Sequence, residues 1–197
     1  MMEGKRIRVL GICGSPRPEG NTERLIRRAL GMFEAEGFET DFLALADRPV
    51  KPCIACARCL TSDVPKCFQE DPNFEGVLDR FAAAQGILVG SPVYFSGATP
   101  QVMALLHRVG YVARKHPDLL RRKVGAAVVV GRRAGHNFTF AHINYFFLIA
   151  EMIVPGSTYW TVSFGREKGE VEKDTEGLRT LDNLVKNMAW LLQKLAS

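Results

Sequence analysis

Residues 7–22 read Ile7-Arg8-Val9-Leu10-Gly11-Ile12-Cys13 (IRVLGIC) followed at once by Gly14-Ser15-Pro16-Arg17-Pro18-Glu19-Gly20-Asn21-Thr22 (GSPRPEGNT). The first half is a short, mostly apolar run without polar alternation, the pattern of a parallel strand covered on both faces. The second half is rich in Gly, Pro, Ser and Asn and reads as a loop. A helix is expected from about Thr22 to Glu36, with Leu25, Ile26, Ala29, Leu30 and Phe33 on one face and Gly37 as its stop. Strand, loop and amphipathic helix in this order form the opening unit of a parallel sheet.

Outward from this unit the same alternation continues. Strands are expected at Thr40 to Ala46, Gly86 to Gly90, Lys123 to Val130 and Met152 to Pro155. Between and after them lie expected helices around Phe74 to Phe81, Gln101 to Lys115, Phe138 to Glu151 and Glu176 to Leu195. The segment Asp47 to Asp71 shows neither period and is an irregular excursion before the third strand. Five strands alternating with five helices predict an α/β fold, a doubly wound five-stranded parallel sheet, because right-handed crossovers place helices on both faces. There is no internal repeat, low-complexity tract or linker, so residues 1–197 are expected to form one domain.

Size and composition agree. The chain has 197 residues, 47% of them hydrophobic, enough for a sizeable core. No apolar run nears the roughly 20 residues of a membrane span, so no membrane association is expected. The stretch Met1 to Arg8 is short and polar, unlike a secretory signal, and a cytoplasmic location is the expectation. A net charge of +5 favours anionic ligands. Because Lys and Arg are spread over several helices, no nucleic-acid partner is expected. The densest basic stretch, Arg114 to Lys123, reads as a solvated helix end and loop.

Ligands of such sheets bind beyond the carboxyl ends of the strands, near the topological switch point. The loop at residues 14–22 has what a phosphate needs there. Ser15, Thr22 and Asn21 are short donors, the glycines allow close backbone approach, and the helix N-terminus adds its dipole. Arg17 can add a charge-assisted bond. The loop is neither GxGxxG nor GxxxxGK[ST], which argues against dinucleotide and Walker-type sites. The competing reading is an ordinary loop in which Asn21 or Thr22 merely caps the helix. A second loop, Gly90-Ser91-Pro92-Val93-Tyr94-Phe95-Ser96-Gly97, offers two aromatics and small residues as a flat surface for a ring. Gly97 there permits close backbone approach. Core packing of Tyr94 or Phe95 is the alternative. His136 and His142 lack metal-ligand spacing and read as structural.

Four of the five cysteines follow the spacing Cys53-x2-Cys56-x2-Cys59-x7-Cys67. Three thiolates at two-residue gaps can wrap one corner of an iron–sulfur cubane, and bacterial ferredoxins use a related run. A four-thiolate zinc site more often uses two separated C-x2-C pairs. Cysteines that hold nothing, or that oxidise to disulfides, remain alternatives. Cys13 stands apart and reads as a buried thiol acting as a small hydrophobe.

Taken together, GSPRPEGNT and GSPVYFSG resemble the two flavin loops of the NAD(P)H-dependent FMN reductase branch of the flavodoxin-like proteins. The cysteine cluster, with Pro52 before it and Glu70-Asp71 after it, resembles that of the iron–sulfur flavoproteins. The resemblance implies a flavodoxin-like sheet binding FMN, with Ser15, Arg17, Asn21 and Thr22 around the phosphate. It places Pro92, Val93, Tyr94, Phe95 and Gly97 along the isoalloxazine and ribityl chain. It also brings the loop with Gly131, Arg132 and Gly135 beside the flavin. That loop is glycine-rich in relatives; here Arg132 and Arg133 replace small residues, as phosphate partners or as a solvated pair. The resemblance further implies a [4Fe–4S] cluster on Cys53, Cys56, Cys59 and Cys67, and a ferredoxin-like electron partner. A homodimer or homotetramer is implied too, since in relatives the cysteine segment meets the flavin of a neighbouring subunit. No side chain is assigned as catalytic, because FMN carries the chemistry. The alternative is a cluster-free NAD(P)H-dependent FMN or quinone reductase.

Overall fold

The computed structural model describes residues 6–196. Its sheet has five parallel strands in the order β2-β1-β3-β4-β5. These are β1 (Arg8–Cys13), β2 (Glu39–Ala44), β3 (Gly86–Pro92), β4 (Val124–Gly131) and β5 (Val162–Phe164). The helices are α1 (Asn21–Ala35), α2 (Val77–Ala83), α3 (Pro100–Lys115), α4 (His136–Ile149) and α5 (Thr175–Ala196). The alternation predicts a doubly wound parallel sheet and the resemblance a flavodoxin-like one; the observed order fits both, with its switch point between β1 and β3.

The central strands β1, β3 and β4 are buried on both faces, as their unbroken apolar runs require, while the edge strands β2 and β5 are only partly covered. Leu10, Ile12, Ile87, Val89, Ala127 and Val129 point into one core with α2, α3 and α4. Val9, Leu88, Val124, Ala126, Val128 and Val130 point into the other with α1 and α5. All five residues proposed for the apolar face of α1 are buried. Gly37 ends that helix with φ of 85°, a left-handed turn that favours glycine. Gly11 lets α1 sit close, since a Cβ there would meet Ile26 Cγ2 at 2.7 Å and Leu30 Cδ1 at 2.8 Å.

The fifth strand is a correction. Met152 to Pro155 forms only one bridge, Ile153 beside Val124. The true β5 lies later and pairs Val162 with Val129. Nine positions separate Ile153 from Val162 against five from Val124 to Val129, so the edge strand is split and the intervening chain loops out. Pro155 has no N–H to continue the ladder, which explains the break. The loop exposes Tyr159 and Trp160.

Arg114 and Lys115 are exposed at the end of α3, as expected of that basic stretch. Lys123 at its far end instead donates to the carbonyls of Phe81 at 2.5 Å and Ala82 at 2.8 Å. Met1 to Lys5, most of the polar start, lie outside the described residues. No described helix is long and apolar enough to cross a membrane.

Candidate functional site

A cavity of about 340 Å³ opens beyond the carboxyl ends of β1, β3, β4 and β5. It is within the roughly 300–1,000 Å³ of small-molecule sites. Among the sequence candidates, Ser15, Arg17, Asn21, Thr22, Pro92, Val93, Tyr94, Gly131 and Arg132 line it. Three loops are drawn together by their own backbones. Gly14 N–H donates to Gly90 O at 2.8 Å, and Thr99 Oγ1 donates to Gly14 O at 2.8 Å. Val93 N–H donates to Val130 O at 2.8 Å.

The phosphate loop is folded on itself. Ser15 Oγ accepts from Arg17 N–H at 3.1 Å, and Gly20 N–H donates to Arg17 O at 3.3 Å. Gly20 is the N-cap of α1 and brings no side chain, so neither Asn21 nor Thr22 caps the helix. The capping reading of these two residues is therefore set aside. The uncapped first turn lies beside the cavity, leaving orphan amides and the positive end of the dipole for an anion.

Asn21 is placed differently from the expectation of a direct phosphate donor. Its Nδ2 donates to Glu167 O at 2.9 Å, and its Oδ1 accepts from Gly169 N–H at 2.8 Å. Both ends of the amide thus clamp the chain that leaves β5. That chain brings Gly165, Arg166 and Lys168 into the cavity wall. Lys168 is also paired with Glu19 at 2.6 Å, and its hydrogen bond holds the Glu19 carboxyl below the usual range. Arg17, Arg132, Arg166 and Lys168 give the lining a cationic character.

Phe95, Gly97 and Gly135 do not line the cavity. Tyr94 and Gly97 exchange two backbone bonds of 2.9 Å across a two-residue turn. Phe95 and Ser96 at its tip have φ of 48° and 62°, and Phe95 is fully exposed. Consecutive left-handed residues give the primed turn that suits a tight hairpin. Gly135, with φ of 88°, supports this turn from below, since a Cβ there would meet Ser96 Oγ and Val93 Cγ1 at 2.8 Å. Arg133 is exposed and outside the wall. His136 is buried against Phe164 with Nε2 at 3.2 Å from Ser163 O, a structural role as expected.

The four clustered cysteines surround a second, smaller cavity with Ile54, Ala57, Phe68, Gln69, Arg108 and Tyr111. All five cysteines of the chain are free thiols. Ala55 and Ala57 take left-handed φ of 52° and 57°, turning the chain sharply between thiols. Ala55 N–H donates to Cys53 Sγ at 3.4 Å, and Arg108 Nη2 to Cys67 Sγ at 3.3 Å. Burial, followed by the neighbouring Cys67, Cys56 and Cys53, pushes the Cys59 thiol above its ordinary value, against its own backbone hydrogen bond. Among the described residues no three Cys, His, Asp or Glu side chains converge on one point as ligands of a single ion would. The space the thiols enclose is small, about 20 Å³, with largely apolar walls, and four cysteines are a donor set whose chemistry suits a thiolate-bound metal group.

Residues 7–167 match the family model described as NADPH-dependent FMN reductase. The chain belongs to this family. An iron–sulfur flavoprotein of Methanocaldococcus jannaschii is 40% identical over 195 residues, spanning 93% of this chain and 96% of the relative. Another, from Methanosarcina thermophila, is 34% identical over 189 residues, spanning 95% and 96%. Among solved structures, RosB with a bound 8-demethyl-8-formylriboflavin-5'-phosphate has a TM-score of 0.72 at 18% identity, over 96% of this chain and 80% of that one. An archaeal flavodoxin gives 0.62 at 14% identity, over 95% and 99%. These two structural likenesses concern the fold.

As a member of the FMN reductase family the chain is an oxidoreductase, and its first cavity fits FMN on its own evidence. The uncapped α1 N-terminus, with Arg17 and Lys168 beside it, suits a phosphomonoester. Pro92, Val93 and Tyr94 supply an apolar side for a ring. Pro18 and Gly20 of the singled-out loop also line this wall, and sequence reasoning missed Val130, Gly165, Arg166 and Lys168. A correct placement of β5 would have exposed the last three, because they follow that strand directly.

Proposed function

We propose that this chain is an iron–sulfur flavoprotein that passes electrons between FMN, a [4Fe–4S] cluster and a redox partner. The observation that carries the reading is the ring of Cys53, Cys56, Cys59 and Cys67 around one cavity of an FMN reductase-family fold. Relatives that match nearly the whole chain at 33–40% identity are iron–sulfur flavoproteins, which supports it. Bound FMN would supply hydride uptake at N5 and release of electrons singly or in pairs.

The chain's own residues do the holding and shielding. Ser15, Arg17, Thr22 and the α1 amides grip the phosphate, while Asn21 fixes the wall that carries Arg166 and Lys168. Pro92, Val93 and Tyr94 lie along the ring, with Gly131 and Arg132 at its border. Phe95, exposed at its turn, is free to meet a partner surface. The two cavities share no lining residue. By the resemblance to the iron–sulfur flavoproteins, the chain forms a homodimer or homotetramer in which one copy's cysteine segment approaches the FMN of its neighbour. A ferredoxin-like protein suits the role of one-electron partner. Cluster-free reduction of FMN or a quinone by NAD(P)H is the second reading, favoured by the NADPH-dependent character of the family.

Anaerobic purification with iron and acid-labile sulfide analysis tests the proposal. Brown protein with broad absorption near about 400 nm, carrying iron and sulfide, is expected. A plain yellow flavin spectrum without iron would leave the second reading in its place.

A further inference from the structure

Arg108 lies on the inward face of α3, and its side chain is 1% exposed. A buried guanidinium is costly unless its charge and donors are met, and here almost all of them are met inside the cysteine segment. Nη1 pairs with the equally buried Asp71 carboxylate and reaches Lys51 O at 3.4 Å. Nη2 donates to Gln69 O at 3.1 Å and to Cys67 Sγ at 3.3 Å. Its Cζ lies over the Phe74 ring, 3.8 Å from the centroid. Nε is buried without a partner. Asp71 is held in turn by Lys51 N–H at 2.9 Å and Asn73 N–H at 3.1 Å.

A tie between α3 and the segment would be complete with Asp71 and the two carbonyls. The structure goes further: a permanent positive charge with an N–H on a candidate ligand sulfur, and a fixed negative charge behind it. We propose that Arg108 is a positioning residue that sets the reduction potential of a thiolate-bound iron–sulfur group, with Asp71 as its counter-charge. This rests on the iron–sulfur reading given above.

The physical argument is one of sign. Reduction adds one negative charge to the thiolate-ligated group. Net charge, hydrogen bonds to sulfur and solvent exposure set the potentials of such groups, and charges act strongly where water is excluded. Arg108 therefore favours the reduced form and raises the potential. Asp71 opposes it and lowers the potential.

The test is a spectroscopically monitored redox titration of the anaerobically purified full chain, with iron and sulfide counted per chain. Wild type is compared with Arg108→Gln, Arg108→Lys and Asp71→Asn. Arg108→Gln is expected to shift the potential downward and Asp71→Asn upward, with Arg108→Lys moving downward by less than Gln. Where Arg108→Gln does not fold, the downward shift in Arg108→Lys carries the test. A purely structural tie would move the Arg108 and Asp71 variants in the same direction, or strip the group from both folded variants. Either result overturns the proposal, as do unmoved potentials in iron-bearing variants. Wild type without iron and sulfide would instead overturn the iron–sulfur reading itself, and the tuning with it.

Discussion

Asn21 offers the sharpest test of how the flavin cavity is built. The resemblance makes it a direct donor to the FMN phosphate, whereas the structure commits both ends of its amide to Glu167 O and Gly169 N–H. Gly165 packs beneath it so closely that a Cβ there would meet Asn21 Nδ2 at 2.7 Å. Asn21→Ala removes two hydrogen bonds, each contributing about 1 kcal/mol. If the released wall must be ordered again on binding, the loss is about 2 kcal/mol, or about thirty-fold in Kd. The assay is a fluorescence titration of apoprotein with FMN for Asn21→Ala, for Arg166→Ala with Lys168→Ala, and for all three together. Residues acting through one element couple by about 0.5–3 kcal/mol. The Asn21 effect should therefore shrink to a few-fold once Arg166 and Lys168 are gone. Full additivity would refute the clamp and return Asn21 to the phosphate.

Gly90→Ala would place a Cβ 2.7 Å from Ile26 Cγ1 and 3.0 Å from Thr22 Cγ2, pushing the first turn of α1 off the sheet. Overpacking of this kind costs about 1–3 kcal/mol, so a lower Tm and weaker FMN binding are both expected in melts and titrations. Burial pushes the Cys13 thiol up to about 11; mass spectrometry after alkylation at neutral pH should find the exposed Cys56 modified in cluster-free protein and Cys13 untouched until unfolding. Burial lowers Lys123 to about 8 from 10.5, so between these values the unfolded chain binds more protons at this side chain than the folded one. Stability should rise with pH from about 8 to 9; above 9 the Cys13 thiol, raised from 9.0 to about 11 in the fold, pulls the other way and offsets the rise. Denaturant midpoints should show the rise in wild type and its loss in Lys123→Met.

The fold was legible because its signals are local and strong. β1, β3 and β4 are uninterrupted apolar runs, and α1 and α5 present clean buried stripes. β5 was misplaced because an edge strand of three residues carries little pattern. The apolar Met152 to Val154, just before Pro155, looked more like a strand than Val162–Phe164 does. That error hid the wall after β5, and with it the partners of Asn21. Nine cavity residues were legible since they sit in loops directly after the strongly patterned strands β1, β3 and β4, where a sheet of this kind opens its cleft. Arg108 was invisible for a different reason. Its period on α3 marks it as core, and only the three-dimensional return of residues 51–71 shows why a charge stands there.

A phosphomonoester grip at the α1 N-terminus underlies the whole functional reading, and calorimetric titration of the apoprotein with FMN and with riboflavin measures that grip. Two charge-assisted bonds, each contributing about 1.5–3 kcal/mol, predict one FMN bound per chain and riboflavin at least about a hundred-fold weaker. Equal affinity for the two, or no heat with either, would contradict it.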